Sequence, residues 1–351
     1  MNLPGPTNSL TDVAGLRVGH CTRAEPGWLT GTTVVVLSDG GAVAGVDVRG
    51  AAPGTRETDL LDPRNLVDRV NAIVLGGGSA PGLAAVSGVV EGLFADGLGW
   101  PMGEPGHVVP IVPGAVLFDL GRGGTWEAYP RAEDGRAAYD AASPGPVPLG
   151  CVGAGTGARA GGLKGGVGCA SVVLESGVTV AALVAVNAFG SAVDPQTGEL
   201  YAVRCGLGEE FQGVGRPTAS EVAAARERAE SLPDAERGPA MATTIGVIAT
   251  DASLTKAQCQ KLAGVGHDGL ARALKPVHTM FDGDTLFALA TGDRAAPEVR
   301  DLVDLMEAGA DCITRAVGHG MLAATSVDRT AEGGVAIRSW TDAFPSALTA
   351  R

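Results

Sequence analysis

The sequence predicts an α/β protein whose sheet-containing core lies between helices. Three observations carry that prediction. Strand-length apolar runs recur at residues 32–37, 42–48, 72–75, 108–112, 170–174, 178–186, 243–250 and 285–290, each bounded by glycine or polar residues. Helical patterns lie between them, at residues 80–95, 131–142, 220–231, 254–274 and 296–316. Several strands, such as Val34-Val35-Val36-Leu37, are apolar throughout, which suits a sheet covered on both faces.

Taken in chain order, the run 72–75 leads into Gly76-Gly77-Gly78-Ser79-Ala80-Pro81-Gly82, a tight turn that opens the helix 80–95. The run 170–174 follows Gly161-Gly162-Leu163-Lys164-Gly165-Gly166-Val167-Gly168, whose glycines permit close approach of a ligand. The run 178–186 ends at Asn187, where Phe189-Gly190 reads as a turn. Between 207 and 241 the chain is rich in Glu, Arg, Gly and Pro and reads as a solvated linker that meets the run 243–250. The helix 296–316 carries Val299, Leu302, Val303, Leu305 and Met306 at i, i+3, i+4 spacing.

Composition narrows the function. The 351 residues hold 26 Lys+Arg against 39 Asp+Glu, a net charge of −13 that repels phosphate backbones and anionic membrane surfaces. Neither nucleic acid nor membrane is expected as a partner. With four Trp, three Tyr and seven Phe, the core must be built from Ala, Val, Leu and Ile. One domain spanning 1–351 is expected, since folds of this class often run this long as one unit. The six cysteines lie far apart with no CxxC pair, and no HxH or HExxH occurs, so neither a metal nor a cofactor is expected. The thiols read as free and mostly buried. The N-terminus lacks a basic-then-apolar leader and no apolar run reaches the ~18 residues of a membrane span, so the expected compartment is the cytoplasm.

Several residues could carry chemistry. Thr243 stands where the linker meets a strand; if the bond before it is cut, the freed α-amine, with a reference pKa of about 7.7–8.0, can act as base for the threonine hydroxyl. Otherwise Thr243-Thr244 is a β-branched strand opening. Asp282 and Asp284, at i and i+2 in Phe281-Asp282-Gly283-Asp284-Thr285, project from one face of an extended chain and could bond the same neighbouring group; Asp-Gly-Asp is also a common solvated turn. Lys164 fails the phosphate-loop pattern because Gly165 follows it, and Gly153-Ala154-Gly155-Thr156-Gly157-Ala158 fits GxGxxA without an ensuing helix. The side-chain amide of Asn187 could stabilise an oxyanion.

Together these segments resemble the DmpA/NylC family of self-processing amidohydrolases and aminopeptidases. The resemblance runs nearly the whole chain, through residues 10–20, Thr30-Gly31-Thr32-Thr33, Pro53-Gly54-Thr55-Arg56-Glu57-Thr58-Asp59-Leu60-Leu61, residues 76–80, residues 111–119, Lys164 in its glycines, Val186-Asn187-Ala188-Phe189-Gly190 and residues 243–251. It implies an αββα sandwich of the N-terminal-nucleophile hydrolase type, cut between Ala242 and Thr243 into chains 1–242 and 243–351 that stay associated. It also implies Thr243 as nucleophile, Lys164 and Asn187 at the substrate-side and oxyanion positions, Asp282 and Asp284 orienting the nucleophile, and Phe118 at the substrate.

The Thr nucleophile and Asp-Gly-Asp pair are more similar to the nylon-oligomer hydrolase branch, which implies internal amide bonds of 6-aminohexanoate-type oligomers as substrate. The alternatives are a β-aminopeptidase or D-aminopeptidase-like member, or an unprocessed, non-catalytic homologue. Two departures bear on this choice: Ala242 stands where nylon-hydrolase-like members have Asn, and Phe118 where some members carry Tyr. Slower but not abolished cleavage is expected, because the acyl shift attacks a backbone carbonyl. The family habit further implies a homo-oligomer, a tetramer of processed units.

Overall fold

A computed structural model describes residues 2–231 and 241–348; residues 232–240 of the linker read from the sequence lie outside the described residues. Two sheets stack face to face. The larger has seven strands in the order Leu3–Pro4, Val167–Val173, Thr179–Ala185, Ile245–Ala252, Thr285–Arg294, Ala42–Val48 and Arg69–Val70. The smaller runs Leu16–Arg23, Thr30–Leu37, Ala72–Gly76, Gly114–Val116 and Gly54–Arg56. Between them lies a core of small and aliphatic residues, with Val35, Ile73 and Leu75 of the smaller sheet facing Leu183, Val247 and Leu289 of the larger.

Alternation decides what covers the outer faces. Val34, Val36 and Val74 point away from that core and pack against Val86, Val89 and Leu93 of helix Ala85–Ala95 and Tyr139 of helix Ala132–Asp140. On the other side Val180, Ile248 and Leu286 pack against Leu262 of helix Lys256–Ala273 and Ile313 of helix Val299–Ala323. The result is four layers, αββα, so the expected sheet core is a pair of sheets. Glycine sets the spacing of the outer helix: a Cβ on Gly168 would sit 1.9 Å from the Ala316 carbonyl oxygen.

Some elements differ from expectation for physical reasons. Residues 108–112 form only the two-residue strand Val108–Val109, because Pro110 and Pro113 have no N–H for a ladder. Strand Leu16–Arg23 escapes an apolar-run search, since Arg17 and His20 interrupt it at its less buried positions. The helix expected over 296–316 runs from Val299 to Ala323, continuing past Gly318 and Gly320. Three of the six free cysteines are buried and three half-buried, rather than mostly buried. No helix among the described residues is long and apolar enough to cross a membrane.

A buried ion network ties the N-terminal segment to helix Val299–Ala323. Glu210 accepts from Arg315 Nε at 2.7 Å, from Asn8 Nδ2 at 2.6 Å and lies 2.6 Å from His319 Nε2. Burial raises the Glu210 pKa, but the bonds from His319 and Arg315 outweigh it and hold the carboxyl well below its ordinary 4.5. The stabilisation is therefore present above pH ~4.5 and is lost as pH falls through the depressed folded value. Glu210→Gln leaves the Arg315 charge buried without its carboxylate, and an expected loss of about 3–5 kcal/mol is checked by urea unfolding at pH 7.

Candidate active site

Sheet topology assembles the site. Ile245–Ala252 and Thr285–Arg294 are adjacent and parallel, with Ile245 opposite Thr285, so the residues just before each strand emerge side by side at one sheet end. Thr179–Ala185 runs antiparallel to Ile245–Ala252, with Ala185 opposite Ile245, and delivers Asn187 to the same end. Residues some 40 to 100 positions apart in sequence thus converge at one sheet end, where ladder geometry fixes their positions.

The Ala242–Thr243 peptide is held on several sides. Ala242 bridges in parallel to Asp282, and its N–H donates to Phe281 O at 3.0 Å. The Thr243 hydroxyl lies 2.5 Å from the Ala242 carbonyl oxygen, which also accepts from the Gly283 N–H at 3.1 Å. The Thr243 N–H donates to the Asn187 carbonyl at 2.6 Å. The nucleophile candidate, an N–H donor and the amide it adjoins are thereby in contact, and both Ala242 and Thr243 are buried.

Asp282 and Asp284 bond different groups, contrary to the expectation of a shared one. Asp282 accepts from the Phe189 N–H at 3.0 Å and from the Thr279 hydroxyl at 2.6 Å. Asp284 accepts from the Thr244 N–H at 2.7 Å through one oxygen, while its other lies 2.7 Å from His278 Nδ1. The reason is the loop: residues 278–284 fold back on themselves, with His278 at a φ of 54°, so the two carboxylates diverge. Asp284→Ala removes the acceptor that fixes Thr244; if the chain cuts itself before Thr243, as the family resemblance implies, the half-life of the uncut chain is expected to lengthen about 10- to 100-fold on a gel time course.

Asn187 is fully buried and its side chain is clamped. Its Oδ1 accepts from an Arg122 guanidinium N–H at 2.7 Å and from the Arg159 N–H at 3.1 Å, while Nδ2 donates to Phe118 O at 3.3 Å. The backbone N–H on the Ala242 oxygen is that of Gly283, and the Asn187 amide faces the Phe118 carbonyl. The Phe118 ring packs against Trp126 at a centroid distance of 6.1 Å. Lys164 pairs with Arg159 across a short hairpin and donates its ammonium to the Gly155 and Gly165 carbonyls at 2.9 and 2.6 Å.

Burial tunes the charges beside Asn187. It lowers Lys164 to about 8 and Arg122 to about 9, and raises Asp119 to about 6 against the opposing pull of Arg122. Sequence reasoning named Lys164 and Asn187 but missed Arg122, Gly283 and His278. Only Gly283 left a signal, as the residue between two candidate aspartates. Among the described residues no cluster of three or more His, Cys, Asp or Glu could hold a metal ion.

Beside Ala242 opens a cavity of about 380 Å³ whose walls include Phe189, Leu163, Val193 and Phe344. Asp194 and four arginines also border it.

Comparison with known proteins follows the same lines. The description of peptidase family S58 matches residues 8–334. An uncharacterized aminopeptidase of Mycobacterium tuberculosis is 48% identical, with 97% of this chain and 99% of that protein covered. The 6-aminohexanoate-oligomer endohydrolase of Kocuria sp. is 33% identical over 82% of this chain and 76% of its own length. Among solved structures, a Burkholderia sp. β-aminopeptidase superposes with a TM-score of 0.73 at 24% identity, covering 100% of this chain and 97% of that one. The L-aminopeptidase D-Ala-esterase/amidase of Ochrobactrum anthropi, described as a variant among the Ntn hydrolase fold, gives 0.72 at 22%, covering 97% and 92%.

Proposed function

The chain belongs to peptidase family S58, a family of amide-bond hydrolases with the N-terminal-nucleophile fold, and from that premise we propose that it cuts itself before Thr243 and uses the freed threonine on linear amides. The observation that carries this reading is the hydroxyl of Thr243 2.5 Å from the Ala242 oxygen, with the Gly283 N–H on that same oxygen.

The chemistry follows in two stages. Thr243 Oγ1 attacks the Ala242 carbonyl carbon, the oxyanion forms against the Gly283 N–H, and the C–N bond breaks as the hydroxyl proton passes to the leaving nitrogen. Water then hydrolyses the ester, leaving a carboxylate on Ala242 and an amine on Thr243. That amine keeps one N–H on the Asn187 carbonyl, so its lone pair is free to take the proton of its own hydroxyl when a substrate carbonyl replaces that of Ala242. No step uses the side chain of residue 242, so Ala242 is compatible with cleavage.

Internal amide bonds of linear oligoamides, of the 6-aminohexanoate type, are the substrate class proposed, supported by the 33% identity to the endohydrolases. An aminopeptidase is the second reading, favoured by Asp194 on the cavity wall, a carboxylate able to receive a terminal ammonium. A homo-oligomer, a tetramer of processed units, remains the proposed assembly and the cytoplasm the proposed compartment. Intact-mass measurement tests the first stage: the 35.0 kDa chain should give pieces of about 24 and 11 kDa, the smaller starting at Thr243. A linear oligoamide with an acetylated amine tests the second. Hydrolysis at the rate of the free-amine form is expected, and its loss on acetylation would replace the internal-bond reading with the aminopeptidase one.

A further inference from the structure

Two consecutive residues hold the two candidate aspartates. Thr279 donates its N–H and its hydroxyl to one oxygen of Asp282, at 2.9 and 2.6 Å. His278 donates its N–H to Asp284 Oδ2 at 3.2 Å and sets Nδ1 2.7 Å from the same oxygen. The other Asp284 oxygen accepts from the Thr244 N–H at 2.7 Å. That amide belongs to the peptide unit just after Thr243, as the Thr243 N–H on the Asn187 carbonyl belongs to the unit just before it. The two bonds fix the backbone on either side of the Thr243 Cα, the base from which its hydroxyl is aimed.

The imidazole of His278 is itself held in place. His267, fully buried, packs its ring against that of His278 with centroids 4.7 Å apart and planes at 73°. Burial lowers the His267 pKa to about 4, so this ring is neutral near pH 7, and its Nε2, 3.0 Å from the Asp47 carbonyl oxygen, carries the hydrogen. It adds no charge beside Asp284. Among the described residues His278 Nε2 has no hydrogen-bond partner, so the polar contact of this side chain is made through Nδ1. We propose that His278 is a positioning residue: through Nδ1 it anchors Asp284, whose other oxygen orients Thr243 by way of the Thr244 amide, in self-cleavage and in turnover. The catalytic consequence rests on the hydrolase reading above; the anchoring of Asp284 does not.

Donor and backbone are separable at this position. His278 has a φ of 54°, which glycine and asparagine both adopt, so His278→Gly removes the donor without strain and His278→Asn returns an N–H near the place of Nδ1. Exchange of the Thr244 amide, read by NMR on the full-length chain, is expected to quicken at least about tenfold in His278→Gly and to return to within about threefold of the parent in His278→Asn. If His278→Gly does not fold, His278→Asp takes its place, matching asparagine in shape with no hydrogen to donate. Unchanged exchange in the donor-less variant, or equally fast exchange in His278→Asn, overturns the proposal. Self-cleavage and amide hydrolysis read the consequence. Both should slow about tenfold without the donor, with kcat lowered and KM kept within about twofold, because His278 does not border the cavity. Combined with Asp284→Ala the loss should grow no further, since His278 acts through that carboxylate. Parental rates, or losses that add to those of Asp284→Ala, overturn the proposal as well. A parent chain that neither cuts itself nor hydrolyses amides sinks the hydrolase reading instead, and the exchange result then decides whether His278 anchors Asp284.

Discussion

Thr243→Ala stays a single 35.0 kDa chain indefinitely and hydrolyses amides at least about 10³-fold more slowly than the parent. The substitution removes the hydroxyl that touches the Ala242 oxygen and can form an ester there, while the backbone bond from residue 243 to the Asn187 carbonyl survives. Folding should therefore be unaffected, and circular dichroism with a thermal melt verifies it. Thr243→Ser is the informative companion. It restores the hydroxyl but loses the methyl that restricts its rotamer, so cleavage should return more slowly than in the parent. Cleavage or full activity in Thr243→Ala ends the assignment of this residue.

Gly283→Ala is expected to slow self-cleavage about 10²- to 10³-fold, an effect nearly as large from a single added methyl. A Cβ on Gly283 would stand 2.5 Å from the Ala52 carbonyl oxygen, 2.9 Å from Pro53 Cα and 2.8 Å from Thr243 Oγ1 itself. Two of those neighbours are backbone and cannot give way, so the hydroxyl must move or the Gly283 amide must tilt. Either motion spoils the alignment, because the same amide donates to the Ala242 oxygen at 3.1 Å. A gel time course after rapid purification reads the rate, and cleavage at the parental rate would show that the Gly283 N–H is dispensable.

This glycine also shows where sequence reading stops. Thr243, Asp282 and Asp284 were weak signals singly, one a β-branched strand opening and the others part of a turn-like Asp-Gly-Asp, and the family resemblance is what joined them as candidates. Gly283 carries no functional group; its role is the absence of a side chain, visible only once Ala52 and Thr243 are seen to close around it. The divergence of the two aspartates had a similar origin, since alternation along an extended chain predicts one face and the turn at His278 breaks that geometry. The apolar strands were legible for the opposite reason. Covered on both faces, Thr30–Leu37 is buried at all eight positions, so its sequence carries little but hydrophobicity. Leu16–Arg23 pairs on one side with Thr30–Leu37, and its mixed composition hid it. Arg122 was invisible because its reach to Asn187 spans 65 positions of sequence and no local pattern encodes it.

The parallel pair Ile245–Ala252 and Thr285–Arg294 has a consequence for what happens after the proposed cut. Both strands belong to the downstream piece, yet they sit in mid-sheet between Thr179–Ala185 and Ala42–Val48 of the upstream piece, with a hydrogen-bonded ladder on each side. The two pieces share one core, so nicking should not release either. It changes the way back instead. An uncut chain refolds by a unimolecular process, but once denatured the two fragments must find each other, and recovery becomes second order in protein concentration. Cleavage thus acts as a ratchet, turning a reversible folder into an assembly held by its barrier to unfolding, whose recovery from heat or urea improves with concentration only after the cut.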